Sequence, residues 1–150
     1  MHKITCDDLS FEDKDSADKF IRDNNIILFS EDGDIFICYE STAIDISKEW
    51  YDITTKTALY FQSNLLDETM SRNLLLVFFS NDDIDINIKK TIQSDIYCCR
   101  KIVKSNVKDI EFTIKELIFH SDIITSETKN HSLKEFLTTK HKDILELVSL

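Results

Sequence analysis

One glycine, Gly33, and no proline serve the whole of this 150-residue chain, and that scarcity constrains its fold more than any other property. Nearly every reversal of direction must be made by Asp, Asn and Ser, whose short polar side chains bond locally to the backbone and tolerate turn geometry. The shortage also excludes whole classes of site. Walker-type phosphate loops, dinucleotide fingerprints and nucleophile elbows all need several glycines where backbone must approach a ligand closely, so nucleotide binding by those loops is ruled out. The single glycine falls in Asp32-Gly33, between Ile26-Ile27-Leu28-Phe29 and Asp34-Ile35-Phe36-Ile37-Cys38-Tyr39. An Asp-Gly pair between two β-rich runs predicts an antiparallel hairpin. In its second strand Ile35, Ile37 and Tyr39 share one side and Phe36 and Cys38 the other, which predicts cover on both faces.

A chain of this length fits a single domain, 1–150, with room for a sizeable core. Its 42% apolar and 31% charged residues argue against disorder. The formal net charge of −10 disfavours direct nucleic-acid binding, where Lys and Arg must neutralise phosphates, and suits a basic protein partner better. The most basic stretches, Arg100 to Lys108 and Lys134 to Lys142, are interrupted and read as solvated faces. Met1 to Asp15 lacks the apolar segment of a secretory signal, and no apolar run approaches the ~18 residues that a membrane span needs. A cytoplasmic chain with no membrane partner is therefore expected. In that reducing compartment Cys6, Cys38, Cys98 and Cys99 are expected as free thiols, the last three buried in apolar segments.

Along the chain, Ala17, Phe20 and Ile21 share one face of a first helix over Glu12 to Asn24, with Ser10 or Asp15 as its N-cap. From Ile46 to Met70 helical spacing returns through Trp50, Ile53, Thr57, Tyr60 or Phe61, and Asn64 or Leu65, with Asp45 or Ser47 as N-cap. The β-branched pair Thr54-Thr55 weakens that helix, so a short helix, a break and a longer helix is the alternative. Leu74 to Phe79 reads as a buried strand, Ile86 to Gln93 as a short helix and Ile96 to Val103 as another strand. On that strand Cys98 and Cys99 point to opposite faces. Val107 to His120 reads as helix, Ser121 to Asn130 as a polar loop, and Ser132-Leu133-Lys134-Glu135 as a capping box opening a last helix with Leu133, Leu137, Ile144 and Val148 on its buried stripe. These elements predict an α/β or α+β domain, with a small mixed or antiparallel sheet shared by the hairpin and the later strands and flanked by helices.

No constellation carries recognisable chemistry. Asn81-Asp82-Asp83, after a strand, could hold Mg²⁺, but Asn and Asp there also cap the next helix. Glu31, Asp32 and Asp34 read as a solvated hairpin tip. Cysteines on opposite faces of a strand cannot share a tetrahedral metal, and no Cys-x-x-Cys or His-x-x-x-His spacing occurs. Cys38 or Cys99 with His120 is only a formal nucleophile and base pair. Glu12-Asp13-Lys14 has the letters of a nuclease motif in a helix start, where the motif needs a strand. No catalytic, cofactor-binding or metal-binding residue is assigned, no cofactor is expected, and the reading is of a chain that is not an enzyme.

The one local word order that matches a known family is NLLLVFFSNDDIDINIKKTIQSDIYCCRKIVK, from Asn73 to Lys104, with Leu59-Tyr60-Phe61-Gln62 upstream. Over roughly residues 55–105 the chain resembles the middle component of bacterial ABC-three-component defence systems of Lamassu type. That resemblance implies a non-enzymatic accessory subunit of an anti-phage or anti-plasmid complex, with an SMC-like ABC ATPase and an effector as partners. A rival reading from the net charge is a stand-alone acidic immunity or inhibitor protein that blocks a basic toxin or nuclease. In either case exposed apolar and aromatic residues of the 46–70 segment or of the C-terminal helix are expected to make the contact.

The purified protein is expected to hydrolyse no nucleotide and to cut no DNA. Metal-dependent DNA cleavage that disappears in Asp82→Ala would overturn this.

Overall fold

The computed structural model describes residues 1–118. The chain divides into two compact units, 1–108 and 109–150. The first unit is a mixed α/β fold around a five-stranded sheet in the order β1-β2-β3-β4-β5. Its strands are β1 (His2–Ile4), β2 (Ile27–Glu31), β3 (Asp34–Glu40), β4 (Leu74–Phe79) and β5 (Arg100–Lys104). β1, β2 and β3 pair antiparallel, whereas β3-β4 and β4-β5 are parallel. The sheet is therefore mixed, not antiparallel. Its short first strand was not visible in the sequence pattern, because three residues are too few for alternation to register.

The expected hairpin is present. Asp32 (φ 50) and Gly33 (φ 89) both take the left-handed region, as a two-residue turn matched to strand twist requires. A Cβ on Gly33 would meet nothing within 4 Å, so the position needs glycine for its backbone angle alone. Every residue from Ile35 to Tyr39 is buried, as the double-faced pattern implied.

Parallel neighbours need long crossovers. The β3 to β4 crossover runs through α2 (Ala43–Lys56), a π-helical segment (Thr57–Gln62) and α3 (Glu68–Arg72), and the β4 to β5 crossover through α4 (Ile86–Ser94). Both crossovers step the same way across the sheet, and crossovers of one hand then fall on one face. Consistent with this, α2 packs against both β4 and α4. Together with α1 (Lys14–Asp23), which lies against the π segment, they cover the core. A row in register across the sheet shows the packing logic: Ile4, Leu28, Ile37, Leu76 and Lys101 are successive partners. Tyr39, Phe78 and Val103 form the next row, with the Tyr39 and Phe78 rings edge to face at 5.9 Å. Ala17, Phe20, Ile46, Ile53, Phe61 and Ile92 meet these rows from the helices. Both edges of the sheet are poor templates for another strand, β1 by its brevity and β5 by Arg100 and Lys104.

The helix expected over Ile46 to Met70 is one long helix followed by a short one, the reverse of the order considered from Thr54-Thr55. It begins earlier, with Thr42 as N-cap and its hydroxyl taking the Asp45 amide. The β-branched residues are accommodated because Thr54, Thr55 and Thr57 each donate their hydroxyl to the carbonyl four residues back. Such back-bonding favours distortion of the ladder, and the π segment starts at Thr57. Asp13, and not Ser10 or Asp15, caps α1. That choice is tertiary: the buried Asn64 accepts the Asp13 amide through Oδ1 (2.7 Å) and returns Nδ2 to the Asp13 carbonyl (2.6 Å) and the Tyr60 carbonyl (3.1 Å). Asp85 caps α4, and the Leu74 to Phe79 strand and Ile86 helix stand as expected. The expected strand from Ile96 shortens to β5, since Ile96 to Cys99 form a loop in which Ile96 is 96% exposed.

In the second unit, residues 110–118 are helical, with the Asp109 carboxylate accepting the Phe112 amide. The helix expected from Val107 thus starts three residues later, Val107 being a buried residue of the first unit whose amide bonds to the Ser80 carbonyl. His120, the 121–130 loop, the Ser132 to Glu135 capping box and the last helix lie outside the described residues.

Asn64→Ala removes three hydrogen bonds and leaves partly buried backbone groups unpaired, and should destabilise the protein by about 2–3 kcal/mol in urea titration. Gly33→Ala should cost about 1–2 kcal/mol through backbone angle alone, and Gly33→Asn clearly less; equal losses for both would show that space, and not φ, sets the requirement.

Candidate functional site

The long helix α2 and its π extension carry two parallel stripes. Ile46, Ile53 and Phe61 are fully buried, at spacings of seven and then eight residues. Ile44, Tyr51 and Leu59, spaced the same way, are 64%, 58% and 57% exposed. Two α-helical turns advance seven residues, and a π turn inserts one more. The π segment therefore delays both stripes by one position, which keeps Phe61 in the core and Leu59 on the surface. The Trp50 ring stands edge to face with Tyr51 at 5.6 Å, holding an exposed aromatic ring against a half-buried one. Leu66, just beyond the segment, is exposed as well. Surface aliphatics occurring singly need no explanation, whereas large apolar side chains repeated along one helix make a candidate contact surface.

Beside this row Tyr60 turns toward α1, with its ring 6.3 Å from Phe20. It forms a wall of an open groove of about 500 Å³ lined by Ser16, Lys19, Phe20, Asp23, Asn24, Lys56 and Tyr60. Lys56 is paired with Asp52 at 3.0 Å. The groove combines two lysines with an aromatic wall, and the Ser16 hydroxyl at its rim donates to the Asp13 carboxylate (2.7 Å).

The far end of the helix is tied to the loop before β5. Gln62 donates from Nε2 to the Ser71 carbonyl (3.1 Å) and the Cys98 carbonyl (2.8 Å). The loop is organised around Lys101, whose side chain is fully buried. Its ammonium donates to the carbonyls of Asp95 (3.3 Å), Tyr97 and Cys99 (3.0 Å), and lies 2.9 Å from Asp95 Oδ2. Three donors thus satisfy three carbonyls, and the carboxylate supplies countercharge without a hydrogen bond of its own. Alternation places Arg100 and Lys101 on opposite faces of this strand, but it does not show that Lys101 is the one that turns inward.

The residues singled out from the sequence are placed as follows. Asp82 accepts the Ala43 amide (3.0 Å) and the Ser80 hydroxyl, so it closes the first turn of α2 from across the sheet. It lies where open parallel sheets hold ligands, beyond the carboxyl ends of the strands, but its carboxylate is engaged in capping. Asn81 and Asp83 do not join it in a cluster. Glu31 pairs with the amino group of Met1, Asp32 forms the hairpin turn, and burial raises the pKa of Asp34. Asp13 of Glu12-Asp13-Lys14 is a helix cap. Among the described residues no three His, Cys, Asp or Glu side chains converge. Cys6 and Cys38 are buried; burial, helped by Asp18, pushes the Cys6 thiol up to about 12, and burial raises Cys38 as well. Cys98 and Cys99, expected to be buried on opposite faces of a strand, are half-buried and lie in the loop, where their sulfurs approach to 3.5 Å.

A family model described as the ABC-three component (ABC-3C) system Middle Component 1 matches residues 34–128, well over half of the chain and all of the sheet from β3 to β5. No curated protein and no solved structure matches. The earlier resemblance, drawn from residues 55–105, falls within the matched span. The chain belongs to the middle components of the ABC-three-component defence systems, the Lamassu type.

Proposed function

We propose that the chain is a non-enzymatic accessory subunit that docks onto the SMC-like ABC ATPase of its system and links it to the effector, in the cytoplasm. The observation that carries this reading is the exposed row Ile44, Tyr51 and Leu59, with Leu66 beyond it, on a helix whose opposite stripe is fully buried. The π segment supports it, because such insertions concentrate at functional positions. Here the insertion sets which side chains the helix displays. The loop tied to the helix end by Gln62 adds Ile96 and Tyr97 to the exposed apolar side chains. A net charge of −10 suits a partner with a basic surface, to which it adds long-range attraction. Family membership supports this reading over the stand-alone immunity protein, which rests on net charge alone.

Co-expression of the native operon with a tag on this chain should recover the ATPase subunit in stoichiometric amount. The double substitution Tyr51→Arg with Leu59→Arg should weaken that recovery by about tenfold or more, while the circular dichroism spectrum and Tm stay those of the wild type. Recovery of the wild-type chain as a free monomer, with the ATPase running separately, would overturn the proposal.

A further inference from the structure

Adjacent residues on a strand point to opposite faces, so neighbouring cysteines there hold their sulfurs apart. Cys98 and Cys99 escape that rule through a tight turn. The Cys99 amide bonds to the Tyr97 carbonyl (3.0 Å), and Cys98 at its centre has φ 73, a rare and strained geometry for a residue with a side chain. The surroundings hold it there: Lys101 grips the carbonyls on both sides of Cys98, those of Tyr97 and Cys99, and Gln62 grips that of Cys98 itself. The result is two free thiols with sulfurs 3.5 Å apart beside a buried ammonium.

We propose that Cys98 and Cys99 form a vicinal dithiol that hydroperoxides oxidise to a reversible disulfide. Cys98 is the attacking thiol. Its pKa is lowered, first by the hydrogen bond it shares with Cys99 and then by the Lys101 ammonium, against burial and the Asp95 carboxylate. Cys99 is the more deeply buried sulfur and its pKa is raised, so it keeps its proton. A low-pKa thiolate poised beside a resolving thiol is the arrangement on which redox-responsive cysteines depend. The Cys98 thiolate attacks the peroxide, forming an S–O bond as the O–O bond breaks, and the departing oxygen leaves as an alcohol or water after taking a proton. The sulfur of Cys99 then attacks the Cys98 sulfenic acid, the S–S bond forms as the S–O bond breaks, and water leaves with the Cys99 proton. The two thiols together lose two electrons and the peroxide gains them.

The ring so formed encloses the peptide between the two cysteines, and the carbonyl of that peptide is the one Gln62 holds. Gln62 ends the π segment that displays Leu59 and Tyr60. Oxidation therefore acts on the link between the loop and that helix. The dithiol site itself does not depend on the accessory-subunit reading.

The full-length protein treated with one equivalent of hydrogen peroxide should lose the mass of two hydrogens, with peptide mapping placing the bond between Cys98 and Cys99 and dithiothreitol restoring the original mass. Cys99→Ser should stop at a sulfenic acid on Cys98 that dimedone traps. In untreated wild type, iodoacetamide should label Cys98 at least about tenfold faster than Cys6 or Cys38, with its inflection below the ordinary thiol pKa. This last measurement needs no variant to fold. Oxidation that instead joins two chains or falls on Cys6, or labelling of Cys98 no faster than of the buried thiols, would overturn the proposal.

Discussion

The parallel pairing of β3 with β4, from Ile35 opposite Leu74 to Glu40 opposite Phe79, is the contact on which the rest of the structure depends. It joins segments separated by the whole α2, π and α3 crossover, and it places the chain's two most apolar strands side by side. Once it is made, the crossover helix has a face to cover, and the stripe Ile46, Ile53 and Phe61 is what covers it. The π insertion is a consequence of that demand. A uniform α-helix would carry Phe61 out of register with the core, and the back-bonding threonines at positions 54, 55 and 57 supply the local weakness that allows the extra residue. The surface row on the same helix is set by the same insertion, so the core and the proposed docking face share one structural cause.

Asp82 and Asn64 show how few polar contacts finish this arrangement. Each reaches across a large sequence separation to the first turn or the cap of a helix. In a chain nearly without glycine the loops cannot approach a phosphate or a cofactor closely, and the side chains of Asp and Asn are spent on satisfying backbone instead.

Most of the architecture was legible in the sequence because it is written in local periodicity. The Asp32-Gly33 hairpin, the continuous run Leu74 to Phe79 and the stripe through Trp50, Ile53 and Thr57 needed no knowledge of distant contacts. What was not legible was set by distant contacts. Asp13 caps α1 because Asn64 meets it, and no local rule distinguishes it from Ser10 or Asp15. The segment Ile96 to Cys99 alternates like a strand, but the Lys101 ammonium requires several carbonyls around it once buried, and a loop can turn them inward where a strand cannot. The two cysteines were read on opposite faces for the same reason. Of the apolar row, Tyr51 and Leu59 were expected only as part of the 46–70 segment and Ile44 lay outside it, because spacing alone does not say which of two stripes is buried or where the helix begins.

The strand order follows the chain order from β1 to β5 without a skip, and that has a consequence for assembly during synthesis. Each strand after the first adds to an edge that the preceding residues have already built, so no strand must be inserted between two others and no edge must reopen. With no proline in the sequence, prolyl isomerisation, the slowest of the common conformational steps, is absent from the process. The sheet can therefore grow outward strand by strand in the order of the chain, and β5, the last of its five, brings Arg100 and Lys104 to the edge it leaves open.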